Sequence, residues 1–161
     1  MIREIVLNRH RTRGFSLIEL LIVLAIVAIV AVLAVPAYQE QIERGRRAEG
    51  KAYLLELASR QERFYTQYSS YANKIFGASG CSGADCGLGM EDGLSSDGHY
   101  KGALTAIPSS CSPTGTLCVS YSLEAAAVAA PATCKTLTMD HAGKKGVKGV
   151  SDAAKVDYCW R

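Results

Sequence analysis

A single carboxylate at the head of an apolar helix constrains this chain more than any other feature. Glu19 is followed by 20 consecutive uncharged residues, Leu20 to Gln39. At about 1.5 Å of rise per residue that run makes roughly 30 Å of helix, the thickness of a bilayer's hydrocarbon core. An ionised side chain in such a helix costs roughly 2.5–3.5 kcal/mol near the bilayer centre and less near an end. A lone charge in this position implies a cationic partner that is itself held in the membrane.

The preceding residues suggest where that cation comes from. Met1–Gly14 carries Arg3, Arg9, Arg11 and Arg13 against one Glu4. Positive charge is retained on the cytoplasmic side, so residues after the apolar run are expected outside. A secretory signal places its small-residue cleavage site after the apolar region. Here the small residue, Gly14, comes before it. Cleavage after Gly14 would leave the helix on the mature chain and create an α-amino cation on Phe15, four residues from Glu19.

The run Arg13-Gly14-Phe15-Ser16-Leu17-Ile18-Glu19-Leu20-Leu21-Ile22-Val23 resembles the prepilin motif of type IV pilins. Gly45-Arg46-Arg47-Ala48-Glu49, Arg60-Gln61-Glu62-Arg63-Phe64-Tyr65-Thr66-Gln67 and the closing Cys159-Trp160 resemble minor type IVa pilins more than a major fibre subunit. Ser16 stands where family members usually have Thr, another small hydroxyl. The resemblance implies a non-enzymatic, self-assembling filament subunit without a cofactor, supporting pilus assembly, adhesion or twitching motility. It implies a prepilin peptidase that cuts between Gly14 and Phe15 and methylates the Phe15 amine. Glu19 would then pair with a neighbour's Phe15 amine and set registry. Other pilin subunits, the inner-membrane assembly platform and possible contact with DNA or a host surface complete the partners. The location it implies is a single pass of the bacterial inner membrane, amino end inside, then a pilus on the cell surface.

Charge agrees with a processed precursor. The leader's four Arg and one Glu account for the whole formal excess of +3, leaving 14 basic and 14 acidic side chains on a neutral mature chain. The pI of about 8.5 is therefore a property of the leader and no sign of nucleic acid. Six cysteines beyond the apolar run fit an oxidising compartment. Zinc is the rival use, but there is no C-x-x-C, and His99 and His141 are isolated in sequence. Six cysteines allow 15 pairings and spacing does not choose among them. The pilin resemblance implies a loop closed near the carboxyl end by Cys134 and Cys159. That leaves Cys81–Cys86 and Cys111–Cys118 as local pairs.

The chain divides into a leader over 1–14, a membrane or filament-core helix half over 15–38, and an extracellular globular part over 39–161. The helix is expected from about Phe15 to Tyr68, kinked at Pro36. Ile42, Gly45, Ala48, Ala52 and Leu55 form one stripe, and Leu54, Leu57, Phe64 and Tyr68 an adjoining one, together a wide packed face. Glu40–Arg44, Glu43–Arg47 and Glu56–Arg60 are i,i+4 pairs. Gly77–Gly102 holds eight of the 15 glycines and reads as a long stapled loop. Strand patterns follow at Tyr100–Ile107, Cys118–Ala127, Thr133–Asp140 and Lys145–Val150. One long helix and then consecutive strands predicts an α+β fold with an antiparallel sheet and disulfide-stapled loops.

Other signals are weaker. Gly87-Leu88-Gly89 lacks the rest of a dinucleotide fingerprint. Glu91, Asp92 and Asp97 do not have EF-hand spacing, so no metal is expected. No nucleophile–base constellation stands out. Lys144, Lys145 and Lys148, with Lys155, form the one basic concentration, read as a solvated hairpin. A DNA contact there is expected to be weak, because the mature chain is neutral and no aromatic residue lies between these lysines. The alternatives are a DNA-receptor pilin for natural transformation, a type II secretion pseudopilin and, more remotely, a membrane-anchored enzyme.

Overall fold

The computed structural model describes residues 15–77, 79–129 and 133–161; the leader and its cleavage position Gly14 lie outside them. Helix α1 spans Leu17–Tyr68, with Glu19 in its first turn and Pro36 inside it. The chain forms two compact units, Met1–Glu40 and Gln41–Arg161. In the first, the side chains from Phe15 to Glu40 are all exposed, although this stretch contains a window with a mean hydropathy of 3.2. Apolar surface of that extent has no partner among the described residues of its own unit. In water it would be strongly unfavourable, so it belongs in lipid or against other helices.

The second unit begins with the remainder of α1. The helix ends where Ser69 takes a left-handed conformation, φ 53°, and its N–H closes on the Tyr65 carbonyl at 2.8 Å. Gln61 then fixes the exit of the chain: its buried amide donates to the Ala72 carbonyl at 3.1 Å and accepts the Ala72 N–H at 2.9 Å. A glycine-rich loop with a short 3₁₀ turn at Gly83–Cys86 leads into four strands: β1 (Tyr100–Ile107), β2 (Ser120–Ala127), β3 (Thr136–Asp140) and β4 (Lys145–Val147). They form an antiparallel meander in the order β1-β2-β3-β4. A closing helix, α2 (Ala153–Trp160), starts at Asp152, whose side chain accepts the Ala154 N–H.

The core lies between α1 and the sheet. Tyr53, Leu54, Leu57 and Phe64 of α1 join Tyr121, Leu123 and Ala125 of β2 and Leu137 and Met139 of β3 in one buried cluster. The strand residues alternate inward as a pleated sheet with one covered face requires. Three disulfides link Cys81–Cys86, Cys111–Cys118 and Cys134–Cys159. The fold is therefore the α+β arrangement with stapled loops.

Several expectations change in detail. The stripe Ile42, Gly45, Ala48, Ala52 and Leu55 is exposed, with Leu55 at 56%. The face that packs instead includes Arg47, Gly50, Tyr53, Leu54, Leu57, Gln61 and Phe64. β2 starts at Ser120, so Val119 stays outside it and exposed. β3 starts at Thr136 because Cys134 has φ 58°, which a strand cannot accommodate. The Glu56–Arg60 pair forms at 2.8 Å, but Arg47 bonds to Tyr158. Neither the 3₁₀ turn nor α2 was foreseen.

Candidate functional site

The three lysines picked out by sequence are not equivalent. The turn between β3 and β4 is organised by Asp140, whose carboxylate accepts the Ala142 and Lys144 N–H groups at 3.0 and 2.9 Å. Lys144 lies exposed at this turn. Lys148 is already paired, 2.8 Å from the Glu124 carboxylate. Lys145 points elsewhere: its ammonium sits 5.3 Å from the centre of the Trp160 ring, within cation–π range. The aromatic side chain absent from the local sequence is thus supplied by α2. Trp160 is held in turn by its indole N–H, which donates to the Gly146 carbonyl at 2.9 Å.

Helix α2 also meets a second pair of cations, on α1. Arg47 is only 7% exposed. Its guanidinium lies 4.8 Å from the centre of the Tyr158 ring and donates to the Tyr158 hydroxyl at 3.2 Å. Tyr158 carries no charge, so this partner leaves the positive field of Arg47 uncancelled. One turn further along α1, the Lys51 ammonium donates to the main-chain oxygens of Trp160 and Arg161. Burial, and then the positive charges of Arg47 and Lys145, hold Lys51 below the ordinary lysine value. Arg47, Lys51 and Lys145 thus converge on Tyr158 and Trp160. Arg161 is exposed beside them and pairs with Asp157 at 2.5 Å. A pocket of about 210 Å³ adjoins Arg47, with Arg46, His99 and Tyr100 in its walls and Glu43 as its acidic member.

The corner depends on the carboxyl-terminal staple. Cys159 lies between Tyr158 and Trp160 and is joined to Cys134, 25 positions earlier. The bond fixes α2 where its rings meet α1 and β4. In the first unit, Phe15 is 78% exposed and Glu19 is exposed near it in sequence.

Both described histidines have partners, so neither is isolated in space. His99 Nδ1 lies 2.6 Å from the Glu49 carboxylate, and His141 Nδ1 lies 2.8 Å from the Ser120 hydroxyl. The second pair is exposed and ties the β3–β4 turn to the start of β2. Sequence reasoning missed Arg47, Lys51, Tyr158 and Trp160 as a group. The readable signal was Ser151-Asp152 followed by Ala-Ala-Lys-Val, an N-cap opening a helix.

Two family models match the chain. Residues 36–138 match the type IV minor pilin ComP, DNA uptake sequence receptor. Residues 9–35 match the prokaryotic N-terminal methylation motif. No curated protein matches the chain.

Proposed function

The chain belongs to the ComP family of type IV minor pilins, and from that premise we propose that it captures DNA at the surface of a type IV pilus. The observation that carries this reading is the convergence of Arg47, Lys51 and Lys145 on Tyr158 and Trp160. DNA affinity comes largely from cations that replace counterions along the phosphate backbone. A local cluster of cations can supply this on a chain that is neutral overall. Lys148, bound to Glu124, has less to offer than Lys145, whose ammonium faces the Trp160 ring.

The same reading includes assembly. The basic leader holds the amino end inside the inner membrane, a prepilin peptidase cuts after Gly14, and the Phe15 amine is methylated. Glu19 then loses its penalty by meeting a neighbouring Phe15 amine, which sets register more than it adds stability. Other pilins and the assembly machinery are partners that the family implies. Contact with the inner-membrane platform is part of the proposal. The exposed side chains from Phe15 to Glu40 support a place for this helix among others in the filament.

Complementation tests the reading. In a strain lacking this chain, wild type restores DNA uptake. A Lys51→Gln/Lys145→Gln variant reaches sheared pili at the wild-type level and restores uptake poorly. Equal uptake by the two would count against DNA capture at this corner.

A further inference from the structure

On the helix face away from Lys51, the Glu49 carboxylate meets the end of the glycine-rich loop. One oxygen accepts the Ser95 hydroxyl and, at 3.2 Å, the Asp97 N–H; the other lies 2.6 Å from His99 Nδ1. The Asp97 carboxylate joins them, so that one ligand atom from each of Glu49, Asp97 and His99 lies within 4.8 Å of the other two. Glu49 is 12% exposed at its side chain and His99 40%, so the group is half-sheltered and reachable from solvent. The adjoining groove, about 420 Å³, has Glu49, Glu56 and Asp97 in its walls and no Lys or Arg among its described lining residues. Two carboxylates brought this close repel each other, and a cation bound to both would relieve that repulsion.

We propose that Glu49, Asp97 and His99 form a divalent transition-metal site that clamps the Ser95–His99 turn onto α1. The donor set chooses the class of ion. One imidazole nitrogen and two carboxylate oxygens suit zinc-like ions, whereas calcium wants six to eight oxygens and magnesium an octahedron of them. Three protein ligands leave a position for water. Bonds of about 2.0–2.2 Å place ligand atoms about 3.3–3.6 Å apart in a tetrahedral shell. Asp97 would therefore close in, and the His99 ring would give up its hydrogen bond to Glu49 and step back slightly, which its exposure permits. Thiolates do not compete, since all six cysteines are in disulfides. The site uses none of the corner's cations or rings, although His99 also lines the pocket beside Arg47, and it does not rest on the DNA reading.

The test is calorimetric titration of Zn²⁺ into the oxidised, mature full-length chain in detergent micelles. Wild type should take up one ion. Glu49→Gln keeps the length of the side chain and its ability to accept the Ser95 and Asp97 donors. That variant, Asp97→Asn and His99→Gln should each weaken binding by about tenfold or more, with helix content unchanged by circular dichroism. His141→Gln should bind as wild type does. Zinc should also slow proteolysis of the glycine-rich loop in wild type and not in His99→Gln. No binding by wild type would overturn the proposal. So would equal binding by all three variants, which would mean an adventitious ion only.

Discussion

Arg47 and Tyr158, 111 positions apart, are joined by a 3.2 Å hydrogen bond from the guanidinium to the phenol oxygen and by a cation–ring stack at 4.8 Å. The contact couples α1 to α2 and gives the buried guanidinium an uncharged aromatic partner. The coupling can be measured. Tyr158→Phe keeps the ring and removes the hydroxyl, and should cost about 1.5 kcal/mol, the low end for a bond to a charged group, because Tyr158 is half exposed. Urea unfolding of Tyr158→Phe, Arg47→Met and the double variant should give a coupling of about 1 kcal/mol. Additive effects would mean that the pair is only adjacent.

Two helical glycines should respond to alanine with opposite signs. Alanine normally stabilises a helix interior by about 0.5–1 kcal/mol over glycine. At Gly45 a Cβ meets nothing within 4 Å, so Gly45→Ala should stabilise the unit by that amount. At Gly50 it would lie 2.7 Å from the ring of Tyr100, which is 1% exposed. Gly50→Ala should therefore destabilise by about 1–3 kcal/mol. Thermal unfolding of the two variants checks both signs together.

Much of this architecture was legible in sequence, and the failures have physical causes. The first half of α1 follows from its uncharged apolar run, and β2 and β3 follow from alternation that reflects one covered face. Which of two adjoining stripes α1 covers did not follow. Leu55 and Leu54 are equally apolar, and only the sheet selects Leu54. The covered face also contains Arg47 and Gln61, which an apolar count passes over. The ends of β3 and α1 are set by left-handed residues, Cys134 and Ser69, that carry no glycine to announce them. The Lys145–Trp160 and Glu49–His99 contacts are tertiary, and no local spacing encodes them.

Acid should weaken the latch between α1 and the glycine-rich loop. Burial raises the Glu49 carboxyl, but hydrogen bonds from Ser95, His99 and the Asp97 N–H outweigh it and hold the group below its usual 4.5. A carboxyl with a depressed folded-state value gives stability that is complete above its unfolded value and is lost as pH falls through the folded one. Wild type should therefore lose stability below about pH 4.5. Glu49→Gln should start less stable and lose less over that range. Parallel pH profiles would remove Glu49 from the account.

Processing and registry separate at two positions. Gly14→Val should leave an uncleaved precursor in the membrane, since a branched side chain blocks approach to the backbone beside Phe15. Glu19→Ala should be cleaved and yet enter pili poorly or out of register. Mass spectrometry of the precursor and blotting of sheared pili read the two steps. Normal incorporation of Glu19→Ala would refute pairing with the Phe15 amine.

The central claim, DNA capture through the corner built by α1, β4 and α2, is tested most directly by the salt dependence of duplex binding. Fluorescence anisotropy on the mature chain in detergent micelles should show affinity that falls steeply as salt rises, as counterion release requires. Lys51→Gln/Lys145→Gln should weaken binding to all sequences and lower the salt slope by about 2, one unit for each lost phosphate contact. Lys144→Gln/Lys148→Gln should change the slope little. Absence of salt-dependent binding by wild type, or an unchanged slope in the Lys51 and Lys145 variant, would contradict the account.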